Sequence, residues 1–327
     1  MLELRPDARI LLVRTDNIGD VLLTLPAVAS LRKRYPAAFI AYLCRSYTAP
    51  LFEGNPSLDQ VIAIDGEPRF GVLRKIKDLK FDASIHFYVE PKGILLSVLA
   101  GIPKRVGPFS KIWSALLTER IVQDRSKAEK HEALYNLDLV KFLRAEALAV
   151  APDLHLTAHE KKEGAGIISL AFGSEGLRPV VVHPGTKGHV ESWPLRSFLE
   201  LAIKFGDRGE KVLFTAGTGE EGITDAVLGL SHKNVRAIPA GSLDLRQLSS
   251  VIFQARLFIG NSSGPLHIAT AVGVPTVSFF PKEPRVTSAR RWGPFGNDRI
   301  NRVFTPDDPE DFLASVAPER VLRAWAG

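Results

Sequence analysis

One cysteine, Cys44, stands among 327 residues, so no internal disulfide can form and no four-ligand Cys/His zinc pattern can be assembled. With no second thiol nearby, Cys44 reads as a small core residue following a strand. No apolar run approaches the ~20 residues of a membrane-spanning helix. The run Ile10 to Val13 is short and is followed by Arg14, Asp16 and Asp20, so neither a signal peptide nor an anchor is expected and the chain is assigned to the cytoplasm. There is no G-x-x-x-x-G-K-[ST] and no strand-anchored G-x-G-x-x-G, which argues against P-loop NTPases and dinucleotide oxidoreductases. G-x-S-x-G is missing too: Gly260 to Gly264 misses its glycine spacing by one, and no Asp/His partners can be assigned. No Asp-x-Asp pair lies at a strand end, so no metal site and no cofactor are expected. Helix-turn-helix, zinc-finger and RNP patterns are missing and the basic residues are scattered, so nucleic acid is not an expected partner.

What is present is an ordinary globular composition, 45% apolar and 24% charged, long enough for two domains of roughly 150 residues each. The net charge of +6 is unevenly shared. Residues 1–150 hold 22 Lys+Arg against 17 Asp+Glu, whereas 151–327 hold 20 against 19. The basic half can face anionic lipid or an acidic glycan, and a merely solvated surface accounts for it as well.

Apolar runs and helical periodicities alternate along the chain. Arg9 to Val13 reads as a strand, then a polar loop from Arg14 to Asp20, then a helical pattern at Val21, Leu22, Leu25, Val28 and Leu31. Ala38 to Leu43, Gln60 to Ile64, Phe81 to Phe87 and Lys104 to Val106 read as further strands. Val72 to Leu79, Gly93 to Ala100 and Lys127 to Leu148 read as helices. Periodicity weakens from Val150 to Arg178, where an interdomain connection is expected at 156–177. A second series follows, with strands at Pro179 to His183, Lys211 to Thr215, Leu257 to Ile259 and Thr276 to Phe280. Its helices are expected at Leu195 to Phe205, Glu220 to Leu230, Leu245 to Phe253, Pro265 to Val272 and Asp308 to Trp325. Such alternation predicts an α/β chain of two unlike, doubly wound domains, 1–155 and 178–327, whose ligands lie beyond the strand C-termini in a cleft between facing units.

Three polar, Gly-rich loops follow strands: Arg14 to Asp20, His183 to Ser192 and Gly260 to Gly264. In the third, Pro265 suits the first helical position, and the free N–H groups with Ser262 and Ser263 suit a phosphate, though backbone turn chemistry alone also accounts for the stretch. Asp20 begins a helix after a glycine. On spacing alone, a carboxylate complementing the helix dipole is the simpler account, and a proton acceptor is the sharper one. His183 and His267 are as readily explained as hydrogen-bonded structural histidines.

Four blocks in order carry a family resemblance: Arg14-Thr15-Asp16-Asn17-Ile18-Gly19-Asp20-Val21-Leu22-Leu23-Thr24-Leu25-Pro26-Ala27, then His183-Pro184-Gly185 leading to Trp193-Pro194, then Gly260-Asn261-Ser262-Ser263-Gly264-Pro265-Leu266-His267-Ile268-Ala269, and Arg291-Trp292-Gly293-Pro294. Together they resemble the bacterial heptosyltransferases, glycosyltransferase family 9, which build the lipopolysaccharide inner core. The resemblance implies a GT-B fold with an N-terminal acceptor domain, a C-terminal nucleotide-sugar domain and metal-independent, inverting transfer. It implies Asp20 as general base, and donor contacts at His183, Gly185, Thr186, Lys187, Ser262, Ser263, Gly264, Pro265 and His267. Acceptor contacts are expected at Asn17, Gly19, Lys104 and Arg105. The implied partners are ADP-heptose or a similar nucleotide sugar and an anionic glycolipid, with peripheral contact at the inner face of the inner membrane. Two positions depart from the family pattern: Glu191 stands where a lysine usually meets the diphosphate, and Ser262 where an aspartate usually precedes Ser/Thr-Gly. Lys187, or Arg290 and Arg291, would then neutralise the phosphates. These departures leave open a non-catalytic nucleotide-sugar or glycan binder of the same fold, and the fold itself also admits a nucleotide-sugar epimerase.

Overall fold

The computed structural model describes residues 2–186, 188, 191–308 and 311–326. It divides into two compact units, Met1–His155 and Leu156–Gly327. Each is built on a six-stranded, wholly parallel sheet. In the first unit β1 (Arg9–Val13), β2 (Phe39–Cys44), β3 (Gln60–Ala63), β4 (Ala83–His86), β5 (Lys104–Phe109) and β6 (Glu119–Val122) lie in the order β3-β2-β1-β4-β5-β6. The second has β7 (Val180–His183), β8 (Val212–Phe214), β9 (Val235–Ala237), β10 (Leu257–Asn261), β11 (Thr276–Phe279) and β12 (Asn301–Phe304), in the order β12-β11-β10-β7-β8-β9. Counted from its own first strand, the second unit repeats the order of the first. Both are Rossmann-like doubly wound sheets, the architecture of the GT-B class.

The central strands are continuous apolar runs because helices cover both of their faces. Leu11, Val13, Ala41, Leu43 and Ile62 pack with Val72 and Ile76 of helix Arg69–Asp78, and in the second unit Val180, Val182, Leu257 and Ile259 pack around Trp193, Phe198 and Phe279. The Trp193 ring stacks on Phe279 at 4.0 Å and its Nε1–H donates to the Val316 carbonyl at 2.8 Å, so a large indole is buried with its polar atom satisfied. Cys44 is a fully buried core residue, and burial pushes its thiol up to about 12.

The strand order reverses direction between β1 and β4 and again between β7 and β10. Loops at the C-terminal ends of such pairs diverge to opposite faces and leave a crevice, which positions the Arg14–Asp20 loop after β1 and the His183–Ser192 and Gly260–Gly264 loops after β7 and β10.

Three strands escape the sequence pattern: β6, β9 and β12. Each is three or four residues long, and β9 and β12 are sheet edges, as is β6. The expected long helix over 127–148 is a shorter one, Glu132–Lys141, and the chain beyond it turns through Arg144 at φ +57°. The expected C-terminal helix is also shorter, Pro318–Ala326.

The stretch expected to be the interdomain connection holds a helix, Ala158–Phe172, opened by a Thr157/Glu160 capping box. Its glycines disguise it, and one of them is required. A Cβ on Gly164 would lie 2.5 Å from the backbone carbonyl of Ser250 in helix Leu245–Phe253, whereas one on Gly166 meets nothing within 4 Å. Gly164→Ala should therefore destabilise the protein by about 1–3 kcal/mol and Gly166→Ala stabilise it by about 0.5–1 kcal/mol. Urea unfolding of the two variants checks the pair, and equal effects would contradict the close helix approach.

Candidate active site

In the first unit the site grows from Arg14, the first residue beyond β1. Its guanidinium is 2% exposed and meets three carboxylates: Nε donates to Asp16 at 2.6 Å, Nη2 donates to Asp20, and Nη1 lies 3.1 Å from Glu132. Nη1 also donates to the Phe87 carbonyl after β4 at 3.3 Å, bridging the two strands at the reversal point. Arg125 reaches the same Glu132 oxygen at 2.5 Å, so that buried carboxylate is shared by two guanidiniums. Above Arg14 lies the Tyr88 ring, at 5.6 Å, with the Lys111 ammonium on the same ring at 4.3 Å.

Asp20 sits in the first turn of helix Ile18–Leu22, as a dipole-complementing carboxylate would, and is also the 14%-exposed end of a buried charge network. Its pKa is raised: burial is the main cause, Arg14 opposes it, and Asp16 and Glu132 push the same way as burial. A largely buried carboxylate with a raised pKa, fixed by one guanidinium, suits proton abstraction from a hydroxyl. Asn17 caps this helix in an extended conformation without a side-chain capping bond and is exposed, while Gly19 is buried under it.

Lys104 and Arg105 do not join this group. Both begin β5, and Lys104 pairs with Ala83, which pairs with Ile10, so they stand level with the start of β1 at the edge away from Asp20. Arg105 is spent on the carbonyls of Leu116 at 2.9 Å and Ile102 at 2.5 Å. The structure thus does not bring them together with Asn17, Gly19 and Asp20. Glu132 and Arg125 join Arg14 and Asp20 in one ion cluster, a grouping the sequence reasoning missed. Nothing local announces a pair 118 residues apart.

In the second unit, Asn261 staples the two loops at the β7/β10 reversal. Its Oδ1 accepts the Trp193 N–H at 2.8 Å and its Nδ2 donates to the Pro184 carbonyl at 2.8 Å. His183, at the end of β7, bonds Thr215 Oγ1 at 2.9 Å, and burial lowers its pKa to about 4 although Glu220 opposes that at 3.8 Å. It is neutral at pH 7. Glu220, a further residue not anticipated, accepts the Gly217 N–H at 2.7 Å; a Cβ on Gly185 would strike its carboxylate at 2.1 Å. Thr186 bonds Ser192 at 2.9 Å.

Helix Gly264–Ala271 opens after β10 with Ser263 as an extended N-cap whose side chain makes no capping bond; the Ser263 Oγ is buried without a protein partner. Ser262 is half-buried beside it, Pro265 falls in the first turn, and His267 is buried on the helix. Free N–H groups and this hydroxyl stand together at the helix start, an arrangement that suits an anion. Glu191 points its carboxylate at the Leu313 N–H instead, so it tethers a turn of the same unit. Arg290 and Arg291 lie on the short helix Ala289–Trp292, with Arg291 over the Trp292 ring at 4.8 Å. Lys187 lies outside the described residues. Among the described residues no group of three or more His, Cys, Asp or Glu is placed to hold a metal ion.

The family model for glycosyltransferase family 9 (heptosyltransferase) matches residues 70–309, three quarters of the chain. The chain belongs to glycosyltransferase family 9. It is an enzyme, which sets aside the non-catalytic and epimerase alternatives. A putative glycosyltransferase of Haemophilus influenzae is 31% identical over 311 residues, covering 91% of this chain and 89% of that protein. Lipopolysaccharide heptosyltransferase 2 of Escherichia coli is 26% identical, with 96% of each covered. The solved structure of the E. coli ADP-heptose lipopolysaccharide heptosyltransferase II shares the fold at a TM-score of 0.82 and 22% identity, covering 97% of each chain. The family match begins beyond the Asp20 loop, so in this family 9 glycosyltransferase that loop is argued from its own surroundings.

Removing one member of the buried network should be costly. Arg14→Met leaves Asp20 without its cation and Glu132 with Arg125 alone, and is expected to cost about 3–5 kcal/mol of stability, with a smaller loss when combined with Glu132→Gln. Denaturant unfolding of the single and double variants measures the coupling, and strict additivity would deny it.

Proposed function

We propose that the enzyme transfers a heptose from ADP-heptose to a hydroxyl of a lipopolysaccharide inner-core acceptor, inverting the anomeric carbon and using no metal, at the cytoplasmic face of the inner membrane. The observation that carries this reading is Asp20: a carboxylate of raised pKa, fixed by Arg14, at the mouth of the β1/β4 crevice. The names of the E. coli relatives support the donor and acceptor. In this reading the first unit activates the acceptor and the second holds the donor.

The acceptor O–H gives its proton to Asp20 as the oxygen attacks the anomeric carbon. The bond from that carbon to the diphosphate breaks on the opposite face, and ADP leaves with the electron pair. One displacement of this kind inverts configuration and needs no protein nucleophile. The N–H groups at the start of helix Gly264–Ala271 and the Ser263 hydroxyl take the leaving charge, the part a metal plays elsewhere. His183, neutral, offers a hydrogen bond and no charge, so the cationic share falls to Lys187 or to Arg290 and Arg291. Glu220 beside His183 offers its carboxylate to a ribose hydroxyl, as an acidic residue does in other doubly wound nucleotide sites.

Turnover of ADP-heptose on a deacylated inner-core acceptor tests the reading. Asp20→Ala should lower the rate ~100- to 10,000-fold while ADP affinity by calorimetry is unchanged. Retention of more than about a tenth of the activity removes Asp20 from the role. In wild type, kcat/KM should rise with pH through the Asp20 pKa, above the ordinary aspartate range because burial raises it. Activity should also persist in EDTA with an inverted product anomer by NMR. Loss on chelation that magnesium restores would refute the metal-free step, and retained configuration would refute the single displacement.

A further inference from the structure

The first unit exposes an apolar face that the reaction above does not use. Phe109 ends β5 and pairs in register with Val122, which ends β6, the outermost strand; they are 53% and 80% exposed. The chain leaving β5 adds Ile112 and Trp113, 86% and 38% exposed, and residues 109 to 113 are exposed without interruption. An uncovered sheet edge carrying two aromatic and two aliphatic side chains is an association hazard unless something covers it.

Its charge says what. Two cations, Lys111 and Arg120, stand in this face, and both are exposed. Arg120 lies over the Phe109 ring at 5.5 Å and Lys111 over Tyr88 at 4.3 Å, so cations stand among the exposed rings. Aromatic side chains interleaved with Lys and Arg suit the headgroup layer of an anionic bilayer, where rings enter the interface and cations meet lipid phosphates. Among the described residues no helix is long and apolar enough to cross a membrane, so any attachment would be peripheral. The patch lies at the same C-terminal edge of the sheet as Asp20 and is joined to it through Lys111, Tyr88 and Arg14.

We propose that Phe109, Ile112, Trp113 and Val122, with Lys111 and Arg120, form a surface that docks on an anionic lipid bilayer. It rests on the glycolipid reading only for its purpose, which is to bring the Asp20 edge to a membrane-borne acceptor. Binding is therefore measured with neither substrate present.

The full chain is sedimented with vesicles of phosphatidylcholine alone or mixed with phosphatidylglycerol. Binding to the mixed vesicles is expected, weakened by salt, and reduced about tenfold or more in Phe109→Ser/Ile112→Ser/Trp113→Ser. A wild type that ignores mixed vesicles, or binds both kinds equally, overturns the proposal. So does a triple variant that binds like wild type, or one that turns a wild-type dimer into a monomer, since the face then meets a second copy. Because Cys44 is buried, Ile112→Cys offers a single accessible thiol for an environment-sensitive dye, which keeps the test open if the triple variant misfolds. Its emission should shift to the blue on mixed vesicles, and an unchanged spectrum overturns the proposal.

Discussion

The first unit depends on keeping one guanidinium charged out of water. Arg14 is buried at the point where the sheet reverses, and burial alone would drive its charge out; Asp16, Asp20 and Glu132 hold it there and lift its pKa instead. Because these partners come from the β1 loop, the first helix and helix Glu132–Lys141, the ion fixes three elements at once. The arrangement stabilises little in comparison with an apolar plug of equal volume. What it supplies is a carboxylate whose position and proton affinity are set by the fold.

The second unit solves the corresponding problem without charge. Asn261 spends one acceptor and one amide on two loops, and a buried amide so used costs nothing in desolvation that its hydrogen bonds do not return. Two sheets with one strand order thus carry different chemistry at the same topological position. An ionic cluster lies beyond β1 in one, and a neutral cradle of amides and hydroxyls lies beyond β7 and β10 in the other.

How much of this was legible follows from what each element depends on. The central strands and the helices that cover them announce themselves as continuous apolar runs and 3.6-residue periodicities. Strands β6, β9 and β12 do not, because a short edge strand is half exposed and its alternation blurs. Helix Ala158–Phe172 was hidden by Gly164 and Gly166, one needed for close packing and one indifferent. Local turn chemistry marks Asp20 as a helix-start carboxylate and the Ser263 loop as a helix opening, whereas the base role proposed for Asp20 came from the family resemblance. Glu132, Arg125 and Glu220 were not, since their roles exist only once distant strands are paired. Glu191, conspicuous as a departure, is explained by a backbone N–H far along the chain at Leu313.

The composition of the Arg14 cluster has a consequence for the energy of the reacting state. Two guanidiniums, Arg14 and Arg125, face three carboxylates, Asp16, Asp20 and Glu132, so the resting group carries one surplus negative charge (2 − 3 = −1). When Asp20 takes a proton in the proposed step, that surplus vanishes and the enclosed ions balance. In a poorly solvated interior a balanced set is easier to house than an unbalanced one. On that proposal the cluster would act as a small electrostatic reservoir, with the imbalance of the resting state relieved as the sugar oxygen loses its hydrogen.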